Sequence, residues 1–157
     1  MCGIVGIVNY NENISNQYPI LRNMTQTLKK RGPDEEGLFF SKHVNLGHRR
    51  LNVIDIENGK QPLSFTYNEV TYTIVYNGQI CNTAELKEEL LRKGFTFKGH
   101  SDTEILLKSY LLYGKDICNH LDSLLNSYAY YISSVASSND HQLFIANSLF
   151  LLTFSPH

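Results

Sequence analysis

The sequence of 157 residues lacks the features that mark several large classes of protein. Its 14 lysines and arginines nearly balance its 15 aspartates and glutamates, so it has neither a basic stripe for nucleic acid nor an acidic tail. The opening apolar run, GIVGIV, is too short for a signal-peptide core, and no run approaches the roughly 20 residues of a membrane span. These absences favour a small-molecule ligand, with no nucleic-acid or membrane partner.

Cysteine is also scarce. Cys2, Cys81 and Cys118 are far apart, odd in number and without a C-x-x-C spacing, which argues against a disulfide framework and fits a reducing cytoplasm. The histidines show no H-E-x-x-H or other paired spacing, so we expect no metal site. We expect Cys81 and Cys118 to be small buried side chains. The chain is long enough for one domain with a real core and too short for two.

Apolar periodicity predicts strands and helices in blocks. Leu21, Met24 and Leu28 recur with Ile20 at helical spacing, and the segment RGPDEEG (31–37) then breaks the helix. Two further helices are predicted over 83–94 and 101–114. The predicted strands or extended segments are GIVGIV (3–8), LFFS, VNLGH, LNVID, TYTIVY (71–76), YAYYISSV and HQLFIAN, with TYTIVY central and turns at ENGK and SSND. Together these helices and strands predict an α+β domain with antiparallel strands and paired helices.

Local signals also predict how the later helices begin and end. Gly94 and Gly114 suit the left-handed position that follows a helix. Ser101 and Glu104 have the S-x-x-E spacing of a capping box.

The second residue raises a chemical possibility. If Met1 is removed, Cys2 carries a thiol and a free α-amine, whose ordinary pKa values are about 8.5 and 7.7–8.0. One residue would then supply a nucleophile and a base. The alternative is a small buried hydrophobe at the start of a strand, and Met-Cys by itself favours that alternative.

Six stretches in register reverse this preference. MCGIVG, RGPDEEG, GHRRLNVID, QPL, YNGQICN and SDTEIL resemble the glutaminase domain of asparagine synthetase, a class II glutamine amidotransferase of the N-terminal nucleophile hydrolase superfamily. The resemblance runs from residue 1 to about 113 and continues weakly to 146. The amidotransferase that makes glucosamine phosphate typically has TRWATHG where this chain has RRLNVID, which places the chain on the asparagine-synthetase side.

The resemblance implies a four-layer α/β/β/α sandwich of antiparallel sheets with the mature N-terminus in the active site. It implies attack of the Cys2 thiolate on the side-chain amide of L-glutamine, a glutamyl thioester and ammonia, and hydrolysis to glutamate, with no cofactor. We expect activity to require loss of Met1, because a retained Met1 converts the α-amine into an amide that cannot take a proton.

The resemblance also assigns roles to residues that recognise the substrate carboxylate and the developing charge. Arg50 would bind the α-carboxylate of glutamine through two parallel hydrogen bonds; its alternative is a solvated strand-end charge, a role that suits Arg49 better. Asn77 and Gly78 would form the oxyanion hole. Their alternative is a two-residue hairpin turn, for which Asn-Gly is the strongest signal.

Three further residues follow from the same resemblance. Asp102 would pair with the α-ammonium of glutamine, although an aspartate in the first turn of a helix is favoured by the helix dipole alone. Gln79 stands where glutamate is common, so we expect weaker glutamine binding. Val53 would direct its backbone carbonyl to the substrate amine, and it is also expected to be a buried strand residue.

The resemblance fades at the end of the sequence. HQLFIANSLFLLTFSPH replaces the family's Arg-Asp pair with Asn147 and Ser148, and no SGGxDS-like loop for ATP occurs. We therefore expect one glutaminase domain over 1–157 with an altered or truncated C-terminal part and no synthetase domain. A separate synthetase chain or a homo-oligomer is the expected partner. Two hypotheses remain: a glutaminase, or a degenerate domain that binds glutamine or a partner without turnover.

Overall fold

A computed structural model describes residues 2–52 and 59–121, together with the backbone of 129–135 and 141–147. The elements in chain order are β1 (Gly3–Val8), α1 (Tyr18–Thr27), β2 (Glu35–Phe40), β3 (Val44–Arg50), β4 (Leu63–Tyr67), β5 (Val70–Asn77), α2 (Thr83–Arg92), α3 (Asp102–Tyr113), a 3-10 helix (Gly114–Asn119), β6 (Ala129–Val135) and β7 (His141–Asn147). The predicted strands GIVGIV and TYTIVY and the three predicted helices are confirmed.

The strands form two antiparallel sheets. The first sheet has the order β1-β3-β2, and the second has the order β4-β5-β6-β7, so that β5 is an interior strand as expected. The predicted strand LNVID is not seen in its described part, since Leu51 and Asn52 have no regular structure. The rest of that segment and the turns at ENGK and SSND lie wholly or largely outside the described residues.

The pleat of β3 separates the two faces of the first sheet. Val44 and Leu46 pack with Val75 of β5, so this face meets the second sheet. The opposite face meets α1, where a side chain at Gly3 would collide with Leu28 at 2.9 Å. The helices α2 and α3 cover the outer face of the second sheet in one apolar cluster that includes Ile74, Tyr76, Leu90 and Leu106. The predicted α/β/β/α sandwich is therefore confirmed.

The predicted ends of α2 and α3 are confirmed, but the predicted capping box at the start of α3 is not. Gly94 and Gly114 have φ values of 90° and 59°, which confirms the positive-φ positions after α2 and α3. Ser101 accepts a hydrogen bond from the backbone N–H of Thr103, but Glu104 turns away from it, so the capping box is wrong. The carboxylate of Glu104 is drawn instead to the ammonium of Lys108, 2.6 Å away.

Two burial predictions are wrong. Cys81 and Cys118 are exposed, because Cys81 lies in the turn before α2 and Cys118 in the short 3-10 helix. Ile20 is 51% exposed, whereas its neighbour Leu21 provides the buried face of α1. Among the described residues, no helix is long and apolar enough to cross a membrane, and no group of three His, Cys, Asp or Glu could hold a metal ion.

Candidate active site

The strand register brings Cys2, Arg50 and Glu35 to one end of the first sheet. Gly3 is paired with Arg49, so Cys2, one position earlier, is level with Arg50. Glu35 of β2 is paired with Arg50 from the other side. The half-buried Cys2 has its Sγ 3.9 Å from the carbonyl oxygen of Leu51. The thiol therefore lies beside the segment in which β3 ends.

The segment after β3 is held by the RGPD motif. The carboxylate of Asp34 accepts a hydrogen bond of 2.7 Å from the backbone N–H of Asn52. Arg31 donates from Nε to the carbonyl oxygen of Cys2 at 3.4 Å. The motif that was expected only to break a helix thus also fixes the backbone on both sides of the thiol.

Both arginines at the end of β3 are buried. Arg50 is 4% exposed, and its Nη1 lies 3.0 Å from Oε2 of Glu35. Arg49 is 5% exposed and pairs at 3.7 Å with Glu36 on the face toward α1. Arg49 was expected to be a solvated charge, and this expectation is wrong. The alternative that Arg50 is a solvated charge is wrong as well. Both residues are buried because β1 and β2 flank β3 in the sheet.

The end of β5 lies over this part of the first sheet. Asn77 is the last residue of β5. It lies two positions after Val75, so its side chain is on the same face of the strand as that of Val75, which packs on the first sheet. Gly78 is exposed, and the chain then runs to α2 rather than returning as a paired strand. The hairpin alternative for Asn77 and Gly78 is therefore wrong. The hairpin of this region is β4–β5, whose turn residues Asn68 and Glu69 both have positive φ.

His48 connects the two sheets near the site. It is 1% exposed, and its ring is hydrogen bonded to the backbone of Tyr76, one residue before Asn77. Burial, aided by the charge of Arg50, lowers the pKa of His48 to about 4. The ring is accordingly neutral at physiological pH and fixes β5 against β3 two residues from Arg50.

Asp102 approaches the same end from α3. Its carboxylate accepts a hydrogen bond of 3.3 Å from the backbone N–H of Ile80. Burial raises the pKa of Asp102, and the bond from Ile80 only partly opposes this rise. Among the described residues no cation forms an ion pair with Asp102. The carboxylate is therefore suited to a cation that arrives with a ligand.

Gln61 ties α3 to β5. Its side-chain oxygen accepts from the backbone N–H of Tyr76 at 2.6 Å, and its amide donates to the hydroxyl of Thr103 at 3.0 Å. Thr103 directly follows Asp102. Gln61 belongs to the QPL motif, but the sequence predicts no role for it, because both of its partners are far away in the chain.

A buried ion pair supports the loop before Asp102. Burial alone would raise the pKa of Glu104, but Lys108 and the backbone N–H groups of Lys98 and Gly99 hold it below its ordinary value. The ammonium of Lys108 also bonds to the carbonyl of Thr96 and lies 4.4 Å from the ring centre of Phe97. These contacts fix residues 96–99, which lead into α3.

The structure describes only one of the two remaining predicted site residues, Gln79 and Val53. Gln79 is exposed and follows Gly78 in the segment between β5 and α2. Val53 lies outside the described residues, as does Met1. The structure thus gathers Cys2, Arg50, Asn77, Gly78 and Asp102 around the ends of β1, β3, β5 and the start of α3.

Comparison with known proteins identifies the family of this chain. Residues 1–147 match the family described as the glutamine amidotransferase domain. The chain belongs to that family. The amidotransferase chain is 44% identical over 124 residues to asparagine synthetase (glutamine-hydrolyzing) 3 of Bacillus subtilis strain 168, covering 79% of this chain and 20% of that protein. It is 42% identical over 152 residues to asparagine synthetase (glutamine-hydrolyzing) 1 of the same organism, covering 96% and 23%.

The amidotransferase chain therefore spans about a fifth of the length of these curated relatives. A solved structure, the glutamine phosphoribosylpyrophosphate amidotransferase from B. subtilis, matches with a TM-score of 0.62 at 19% identity, covering 92% of this chain and 37% of that one. At this identity the likeness shows that the two chains share a fold, and nothing beyond the fold.

Proposed function

We propose that this amidotransferase domain hydrolyses the side-chain amide of L-glutamine to glutamate and ammonia, with Cys2 as the nucleophile. The supporting observation is the register of the first sheet, which puts Cys2 level with the buried guanidinium of Arg50. A nucleophile and a carboxylate-binding group at the same sheet end are what capture and cleavage of an amino-acid amide require.

The covalent step starts from a chain that has lost Met1. The α-amine of Cys2 takes the thiol proton, directly or through a water, and the thiolate attacks the carbonyl carbon of the glutamine side chain. The oxyanion accepts hydrogen bonds from the Asn77 side chain and the Gly78 backbone N–H. The C–N bond then breaks, and the amine returns its proton so that ammonia leaves and a glutamyl thioester remains. Water attacks the thioester, releasing glutamate and restoring the thiol.

The rest of the substrate is held by charge. Arg50 binds the α-carboxylate, and Asp102 binds the α-ammonium, which replaces the cation that the described chain does not supply. Gln79 and the backbone carbonyl of Val53 add neutral acceptors for the ammonium. Because Gln79 has no charge, glutamine binds more weakly than it would beside a glutamate at that position.

The ammonia serves an asparagine-forming reaction in this proposal, since the two similar Bacillus subtilis proteins are glutamine-hydrolyzing asparagine synthetases. The acceptor site belongs to a synthetase chain or domain that receives the ammonia, in a cytoplasmic assembly. In this proposal the ATP-dependent step is carried out by that synthetase chain or domain. The domain assignment is one glutaminase domain over 1–157.

The test is Cys2→Ser beside the matched control Cys118→Ser, with intact mass recorded to establish loss of Met1. Glutamate release and covalent labelling by an electrophilic glutamine analogue are measured on each protein. We expect the wild type and Cys118→Ser to turn over and to be labelled once, and Cys2→Ser to lose both, because a hydroxyl is hardly ionised near neutral pH. Glutamine binding without glutamate release, in a folded chain free of Met1, would support the non-catalytic alternative instead.

A further inference from the structure

The guanidinium assigned to the substrate carboxylate already contacts a carboxylate of its own chain. Nη1 of Arg50 lies 3.0 Å from Oε2 of Glu35, and the two residues are directly paired across β3 and β2. The Arg50 side chain is only 5% exposed, whereas that of Glu35 is 32% exposed. The internal partner therefore lies at the edge of the site, and the guanidinium lies inside it.

A second cation stands on the other side of Glu35. Nζ of Lys60 is 3.7 Å from Oε1 of Glu35, and the Lys60 side chain is 72% exposed. Glu35 thus lies between one buried cation and one exposed cation. A carboxylate that loses contact with Arg50 has an alternative partner within reach of a small side-chain rotation.

Two carboxylates at one guanidinium repel each other. When an amino acid brings its α-carboxylate to Arg50, Glu35 must share the fork or move away, and either response reduces the free energy gained on binding. The loss is moderate because Glu35 is partly solvated and its charge is screened by water. Lys60 reduces this loss of binding free energy further, because it stabilises the Glu35 carboxylate after its displacement from Arg50.

We propose that Glu35 sets the affinity for glutamine by competing with the substrate α-carboxylate for Arg50, and that Lys60 relieves this competition by accepting the displaced carboxylate. The proposal rests on the proposed function, because it takes Arg50 as the carboxylate-binding residue. It gives Glu35 a second role as a counter-charge to Arg50 when no substrate is bound.

The experiment compares Glu35→Gln, Lys60→Gln and the control Glu36→Gln, each measured for glutamine KM and kcat and, in a Cys2→Ala background, for glutamine Kd. Glu36 is the matched control because it pairs with Arg49 on the opposite face of the sheet. Glu35→Gln keeps an oxygen that can accept from Arg50 but removes the competing charge. We expect it to lower Kd and KM by about threefold to fivefold, Lys60→Gln to raise them, and Glu36→Gln to leave them unchanged.

A second ligand isolates the charge effect. The α-methyl ester of L-glutamine has no α-carboxylate, so Glu35→Gln should bring no gain in its binding. An unchanged or raised Kd for glutamine in Glu35→Gln, or an equal gain with the ester, would overturn the proposal. If Glu35→Gln folds poorly, Lys60→Gln still tests the proposal, because Lys60 is exposed and its replacement should raise the glutamine Kd. A lowered glutamine Kd in Lys60→Gln would also overturn the proposal.

The outcomes separate this inference from the proposed function. Cys2-dependent release of glutamate with an unaltered KM in Glu35→Gln defeats the inference alone. Absence of both glutamine binding and hydrolysis in every folded variant defeats both.

Discussion

The surroundings of Asp102 disfavour the charged form of its carboxyl group. Burial raises its pKa, the hydrogen bond from Ile80 offsets only part of the rise, and no described residue forms an ion pair with it. The folded state therefore binds the Asp102 proton more tightly than the unfolded state does. Ionised Asp102 disfavours folding above its ordinary pKa, and this cost is consistent with a group kept for a ligand.

The first prediction concerns Asp102→Asn. Protonation removes the charge that attracts the substrate ammonium, so kcat/KM for glutamine in the wild type should fall with decreasing pH, and the fall should begin at a higher pH than for an ordinary aspartate. Asp102→Asn should give a low kcat/KM that does not change through this range. Its thermal unfolding temperature should be equal to or above that of the wild type at pH 7, because the buried charge is gone.

The pH profile of kcat/KM and a thermal melt of both proteins check this prediction. A variant that loses stability while it keeps the glutamine KM of the wild type would show that Asp102 only caps α3.

At the scale of elements, the loop between α1 and β2 depends on a glycine. Gly32 is buried, and a Cβ there would overlap the backbone of Arg49 and Arg50. The loop therefore lies directly against the end of β3 that carries the arginine of the candidate site. No side chain could be accommodated without moving one of the two backbones.

The second prediction is that Gly32→Ala destabilises the fold by about 1–3 kcal/mol and raises the glutamine KM, because β3 must shift near Arg50. Gly6→Ala is the matched control on β1, since a Cβ at Gly6 would meet its nearest neighbour, a Leu46 side-chain atom, at 3.4 Å. Denaturant unfolding and steady-state kinetics measure the two effects. Equal stability of the two variants would contradict this account of the loop.

At the scale of the whole molecule, His48 couples the layers through its hydrogen bond to the Tyr76 backbone. Its pKa of about 4 in the folded protein lies below the value of about 6.5 expected in the unfolded chain. Between these two values the unfolded state binds more protons. The free energy of unfolding should therefore decrease as the pH falls from about 6.5 to about 4.

The third prediction is that His48→Gln removes this pH-dependent component, which amounts to about 3–4 kcal/mol at most. Glutamine can still donate to the Tyr76 backbone but does not titrate. The difference in unfolding free energy between variant and wild type, measured by denaturant titration at several pH values, should change across that window. Charges near His48 and elsewhere, including Glu35 and Glu104, are common to both proteins, so a constant difference would contradict the prediction.

Short-range sequence patterns predicted most of the helices and strands, and the motifs proposed the residues of the candidate site. A continuous apolar run predicted β1, β-branched and aromatic content predicted β5, and helical spacing predicted α1. Glycine marked the ends of α2 and α3. These signals depend only on neighbours within a few residues. The motifs also named Cys2, Arg50, Asn77 and Asp102, which the fold brings to one end of the sandwich. Their roles in glutamine hydrolysis remain a proposal.

Which side chains contact each other followed only from the tertiary structure. Glu35 reaches Arg50 because of the β2–β3 register, Gln61 joins β5 to α3, and Glu104 leaves its expected cap for Lys108 and the loop before α3. Burial of Arg49 and exposure of Cys81 likewise follow from which layer covers which face. Local patterns fix backbone conformation, but register and layer packing are set by contacts between residues distant in the chain, which no short stretch of sequence encodes.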